Sequence, residues 1–150
     1  MKAVDGLKFA GRLNIVLTDK DGNIKEQREE TNLVVDAGLN FICDRMEGTS
    51  EAVMSHMAVG SGSTAPAAGD TDLGSVLGSR EAIDSTAVTN NTIVYTCGFE
   101  AGDGTGAITE AGIFNAATGG TMLCRTTFAV VNKAADDTMT ITWTITLTAN

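Results

Sequence analysis

One proline, one histidine, one tryptophan and one tyrosine occur in 150 residues. With only five phenylalanines beside them, aliphatic side chains must fill whatever core forms. The three cysteines, Cys43, Cys97 and Cys124, are widely spaced, and no C-x-x-C or C-x-x-H pair is present. That spacing makes no zinc centre. An odd count with no secretory leader predicts reduced thiols of a cytoplasm. Each cysteine stands among apolar neighbours and is expected to be a small buried hydrophobe. The N-terminal run Met1 to Gly6 lacks an apolar core segment, so no signal peptide is expected. No apolar run approaches the roughly 18 residues of a membrane span.

Basic residues are also scarce. Ten Lys and Arg face nineteen Asp and Glu, for a net charge of −9. Phosphate backbones and anionic membrane surfaces repel such a domain, so neither nucleic acid nor membrane is expected as a partner. The balance is uneven: residues 1–28 hold six basic and four acidic groups, and the remainder stands at −11.

The motifs of catalysis are missing too. His56 is the sole histidine, with no acid or nucleophile placed beside it by the sequence. The loops Gly60-Ser61-Gly62-Ser63 and Gly102-Asp103-Gly104-Thr105-Gly106 lack the Lys-Ser/Thr ending of a phosphate loop, and Ser61 and Ser63 lack the nucleophile elbow. Asp19, Asp21, Asn23 and Glu30 mimic calcium-loop spacing, but Ile24 stands where the sharp turn needs glycine. No catalytic, metal-binding or cofactor-binding residues are expected, and the protein is read as a non-enzyme.

What the chain does have is glycine and threonine, 17 and 21 of them. At roughly 100–200 residues per domain this is one domain, long enough to bury about 68–70% of its unfolded surface. Phe9 to Thr18 alternates as a strand, Asp21-Gly22 signals a hairpin, and the charged return to Glu30 reads as an exposed strand near an edge. Asp36 is placed to cap a helix over 37–47, with Leu39, Ile42, Cys43 and Met46 as its apolar stripe and Gly48 at its end. Gly38 weakens its first turn by about 1 kcal/mol relative to Ala. Gly60 to Gly69 reads as a flexible surface loop, and 70–77 as room for one helical turn. From Thr92 onward strand follows strand, with a bulge expected near Gly112. The clearest segment is 138–148: Met139, Ile141, Trp143, Ile145 and Leu147 share one face, and six threonines the other. About eight strands with close-spaced turns and one short helix predict a mainly β protein, an antiparallel β-sandwich with a jelly roll as a leading option.

Four stretches in this order, Val59-Gly60-Ser61-Gly62-Ser63-Thr64-Ala65-Pro66, Ile108-Thr109-Glu110-Ala111-Gly112-Ile113-Phe114, Met122-Leu123-Cys124-Arg125-Thr126-Thr127-Phe128 and Thr140-Ile141-Thr142-Trp143-Thr144-Ile145, resemble small structural proteins of tailed-bacteriophage virions. Some of these look like head decoration (cement) proteins, others are fibre-like or tail-associated. The resemblance covers about residues 33–148. It implies a virion component made in the host cytoplasm, with no catalytic residues and with the major capsid protein as partner.

The charge suits the outside of a head better than its DNA-filled interior, and a small domain without fibrous repeats suits a cement protein better than a shaft. The expectation is therefore a decoration protein on the outer capsid surface, present as a homo-oligomer, a dimer or a trimer. The alternatives are a tail- or fibre-associated protein and a surface carbohydrate-binding module. The last needs exposed Trp or Tyr, and Trp143 reads as core. Shells of this kind are often acidic outside, as the resemblance implies, so residues 1–8 read as a docking arm. Its contact is expected from the cations Lys2, Lys8 and Arg12 and the apolar Val4, Leu7 and Phe9.

Overall fold

The computed structural model describes residues 6–149. Its strands are β1 (Leu7–Thr18), β2 (Ile24–Thr31), β3 (Leu33–Val34), β4 (His56–Gly60), β5 (Glu81–Ala82), β6 (Ser85–Thr89), β7 (Thr92–Phe99), β8 (Gly106–Phe114), β9 (Met122–Lys133) and β10 (Thr138–Ala149), with helix α1 (Asp36–Glu47) between β3 and β4. Two five-stranded antiparallel sheets form, in the orders β2-β1-β10-β7-β6 (sheet A) and β3-β9-β8-β4-β5 (sheet B). The hairpins β1–β2, β6–β7 and β8–β9 stay within a sheet. The chain crosses between sheets at β2–β3, β5–β6, β7–β8 and β9–β10. This is an antiparallel β-sandwich with one short helix.

The threonine-alternating segment becomes β10, the middle strand of sheet A. Its apolar face meets Leu13, Ile15 and Leu17 of β1 and Cys97 and Phe99 of β7, and across the sandwich Met57 and Val59 of β4, Ile108 and Ile113 of β8, and Cys124 and Val131 of β9. Full burial of each such aliphatic contributes about 1.5–3 kcal/mol. Trp143 is 0% exposed, and its Nε1–H donates to Oδ1 of Asn32 at 2.8 Å. The core sits between the sheets because period-2 alternation sends every second side chain inward. The charged β2 lies at the edge of sheet A, as its composition predicts.

Several local expectations are corrected. Asp36 is the first helical residue and not the cap; Val35 holds the cap position without a side-chain bond. The helix also faces the sheet with a different stripe. Gly38 is buried, Phe41 and Ile42 are half-buried, and Leu39, Cys43 and Met46 are exposed. Gly38 explains the rotation. A Cβ there would collide with the Leu123 carbonyl of β9, so the one residue lacking a side chain sets the line of closest approach. Gly48 does end the helix, at φ 92°. Cys97 and Cys124 are buried, but Cys43 is exposed for the same reason as Leu39. No helical turn forms over 70–77. The β8–β9 register slips at Ile108/Glu110 and at Ile113/Phe114, on either side of Gly112. Ten strands replace about eight because the two-residue β3 and β5 are too short to show periodicity.

Candidate docking face

The six residues expected at a shell contact do not form one patch. Lys2 and Val4 lie outside the described residues. Leu7 and Lys8 are not part of a free arm: β1 begins at Leu7, which pairs with Ala149, and Lys8 pairs with Thr148. Within β1 the side chains alternate. Leu7 and Phe9 share the phase of the buried Leu13 and Ile15 and point to the inner side at one end of the sandwich. There Leu7 lines a groove with Val88, Ile93 and Leu147, and Phe9 another with Phe41, Ile42 and Tyr95. Lys8 and Arg12 share the phase of Thr148 and Thr144 and point outward.

That outward side of sheet A is legible row by row from the register. Thr144 stands between Arg12 and Val94, Thr142 between Asn14 and Thr96, and Thr146 between Ala10 and Thr92. The rows continue to Thr31 and Glu29 on β2, and to Ala87, Ser85 and Thr89 on β6. The hydroxyls of Thr92 and Thr146 are 3.2 Å apart. Charge on these rows is limited to Lys8, Arg12 and Glu29, a net of +1, and Arg12 pairs with Glu29 at 2.8 Å. A shallow depression lined by Ala10, Arg12, Thr31, Thr144 and Thr146 opens there. In a chain at −9, these rows carry no net negative charge; acidic groups begin at the next row, where the carboxylates of Asp84 and Glu100 stand over Gly98, opposite Thr140.

The outward side of sheet B is built differently. Glu110 on β8 and Arg125 on β9 occupy its outer rows and are 0% and 2% exposed, because the 61–76 segment lies over them. Oε1 of Glu110 accepts from the N–H of Gly62 (2.9 Å) and Ser75 (2.7 Å), and Oε2 from the N–H of Gly74 (2.9 Å). Arg125 donates to the same Oε2 through Nε and Nη2, to Oδ2 of Asp70 at 2.9 Å, and to the Thr64 carbonyl at 3.0 Å. A Cβ on Gly62 would lie 2.5 Å from Oε1 of Glu110, so the loop reaches the carboxylate only with glycine there. Burial alone raises the Glu110 pKa. The Gly74, Ser75 and Gly62 amides and the Arg125 guanidinium outweigh it and hold the group below its ordinary 4.5. Asp70 is lowered by the Ala67 amide and by Arg125. Leu73 of the same segment joins Val35, Ala58, Phe114 and Met122 in a second small core.

The segment expected to be a flexible loop is therefore tied down by an ion pair. Three of the four stretches that carry the family resemblance meet at this tie. Sequence spacing separates Glu110 from Arg125 and both from Gly62, and the only signal joining them is one acid in the otherwise uncharged β8 and one arginine directly after the apolar Met122-Leu123-Cys124 of β9. With both carboxylate oxygens and the guanidinium engaged by the protein itself, the cluster acts as a structural clamp.

The other candidates stay apart. His56 Nδ1 lies 2.8 Å from the Ser55 hydroxyl. Asp19 Oδ1 accepts from the amides of Asp21 and Asn23, closing the β1–β2 turn. Among the described residues no group of three His, Cys, Asp or Glu is placed to hold a metal ion, and no helix is long and apolar enough to cross a membrane. No protein-family model, no curated protein and no solved structure matches the chain.

Proposed function

We propose that this protein decorates the outer surface of a tailed-bacteriophage head, binding the major capsid protein through the outward face of sheet A and stiffening the shell. The observation that carries the reading is the charge distribution. A chain at −9 presents, along the rows of Thr142 to Thr148 on sheet A, a threonine-lined stretch whose charged residues are Lys8, Arg12 and Glu29. An acidic shell repels the rest of the molecule more than that stretch, and the cations of the expected contact that fall within the described residues, Lys8 and Arg12, both lie on it. A rigid sheet face suits a cement role, because a decoration protein that binds only the assembled shell stabilises it by mass action. The carbohydrate alternative draws no such support. Trp143 is fully buried and Tyr95 is 6% exposed, so neither offers a platform for a sugar ring.

The test is a comparison of particles with and without the protein. Heads lacking it should assemble, then rupture at lower temperature or on DNA packaging, and cryo-electron microscopy should find the protein on the outer shell with sheet A toward the capsid. Equal robustness of the two particles, or density confined to the tail, overturns the reading.

A further inference from the structure

Four strands end the two sheets, and three of them are blunted against further pairing. β3 and β5 are two residues long. β2 carries Lys25, Glu26, Arg28, Glu29 and Glu30 among its eight residues. Short and charged edges discourage added strands. β6 has neither protection. It is five residues, Ser85-Thr86-Ala87-Val88-Thr89, all exposed, without charge or proline. Among the described residues its backbone bonds to β7 on one side and to nothing on the other. An open edge of this kind presents unpaired N–H and C=O groups as a template.

We propose that β6 pairs antiparallel with β6 of a second copy across a two-fold axis, joining two five-stranded sheets A into one continuous sheet. Three observations select a second copy. A strand paired antiparallel with itself is self-complementary about a two-fold, so one edge serves both partners. Charge limits where two such molecules can meet: each stands at −9, and close approach is costly wherever acidic groups face each other. The β6 edge and its Asn90-Asn91 turn are uncharged, and the nearest acid in sequence, Asp84, has its carboxylate bound to the Gly98 N–H on β7 at 2.7 Å. Lastly, Val88 is 69% exposed and borders the groove lined by Leu7, Ile93 and Leu147, so the pairing covers apolar surface beside the new hydrogen bonds. The inference is independent of the head-shell role, since it concerns the purified protein alone.

Light scattering on the eluting protein at micromolar concentration should give twice the 15.5 kDa chain mass. Raising the salt concentration should shift the equilibrium further toward the dimer, because screening weakens repulsion between two acidic bodies; an interface held by ion pairs moves the other way. Ala87→Lys and Ala87→Glu each place like charges across the axis and should run at the single-chain mass with unchanged far-UV circular dichroism. Mixed in equal amounts, the two should recover the doubled mass, a rescue that a merely misfolded variant cannot give. A wild-type protein at the single-chain mass, an Ala87→Lys protein that stays dimeric, or a mixture that fails to associate overturns the proposal. Removal of residues 1–5 that dissolves the dimer, with Ala87→Lys leaving it intact, assigns the contact to the N-terminal segment instead.

Discussion

On sheet B the outward rows of β8 and β9 are sealed: Glu110 and Arg125 are buried beneath the 61–76 segment, and Phe114 and Met122 lie in a second core with Leu73 of that segment. On sheet A none of the described residues lies over the outward rows of β1 and β10, and threonines stand half-exposed along them. The difference begins in composition. β8 and β9 offer glycine, one carboxylate and one guanidinium on their outer side, which a glycine-rich loop can approach closely and bind through its amides. β10 offers β-branched hydroxyl side chains, which suit a strand and tolerate water. A sheet covered on both sides has its partners inside the chain. A sheet covered on one side has a face left for a partner.

The comparison is sharpest within β10, where neighbours face opposite ways. Trp143→Ala empties a fully buried site and leaves Oδ1 of Asn32 without its donor. It should cost about 3–5 kcal/mol for the lost ring, and the orphaned acceptor adds to that. Thr144→Ala, one residue on, should stay within about 0.5 kcal/mol as a surface change. Urea unfolding followed by circular dichroism measures both, and comparable losses from the two variants would break the assigned alternation.

Between sheets, Arg125→Met tests the seal. Removing one partner of a buried pair leaves the other charge uncompensated, at a cost of about 3–5 kcal/mol. Glu110 has its three amide donors besides, which places the expected loss toward the lower end, below that of Trp143→Ala. The same denaturation experiment reads it. A loss no larger than that of Thr144→Ala would mean that the 61–76 segment does not depend on the ion pair.

Much of this architecture was legible in the sequence, and the boundary is physical. Period-2 alternation gave β10, β1 and the core position of Trp143, because one-sided burial writes itself into every second residue. Charge gave the edge position of β2. Contacts made by residues far apart in the chain left no such trace. The Glu110–Arg125 tie joins two strands and a loop, and Asn32 reaches Trp143 from 111 positions away. Lys133, which reads as the start of a polar turn, is 2% exposed with its Nζ on the Glu100 carbonyl. The helix stripe went astray because apolar spacing alone gave no weight to Gly38, whose missing side chain decides the contact. For the docking residues, charge marks Lys8 and Arg12, and the alternation of β1 puts them on the opposite side of the sheet from Leu7 and Phe9.

Acid should distinguish the two outer faces further. The Glu110 and Asp70 carboxyls are held below their ordinary 4.5 and 3.8 in the folded protein. A depressed carboxyl contributes stability that is fully present above its ordinary value and is lost as pH falls through the folded one. The 61–76 segment should therefore stay closed at neutral pH and loosen below the ordinary carboxylate range. Hydrogen exchange at the Gly62, Gly74 and Ser75 amides reports it, with the middle of β10 as reference. The hairpin ends of sheet A are a poor reference, because Asp19 is lowered by the Asn23 amide and Asp137 by the Lys25 ammonium. Glu110→Gln should lower protection of these amides at neutral pH and flatten its decline in acid. Loop amides that track the middle of β10 at every pH would sink the idea.

The smallest effect on the protein itself is expected on the bare face. Lys8→Glu and Arg12→Glu alter exposed positions on the outward side of β1, and the Arg12–Glu29 pair is between side chains 70% and 60% exposed. Exposed pairs of this kind contribute little to stability, so the thermal midpoint should barely move. Binding to heads lacking the protein should change more. Each reversal shifts the charge of the Thr142 to Thr148 rows by two units, and the pair takes those rows from the net of +1 to a net of −3. Such charges govern approach rate and salt dependence more than the final contact. Association with an acidic shell should slow at low ionic strength, and the difference from wild type should shrink as salt is added. Thr142→Ala, at the centre of the same face and without charge, is the control that should leave the rate unchanged. A double reversal that binds heads at the wild-type rate would remove the face of sheet A from the contact and leave the end of the sandwich lined by Leu7 and Val88 to carry it.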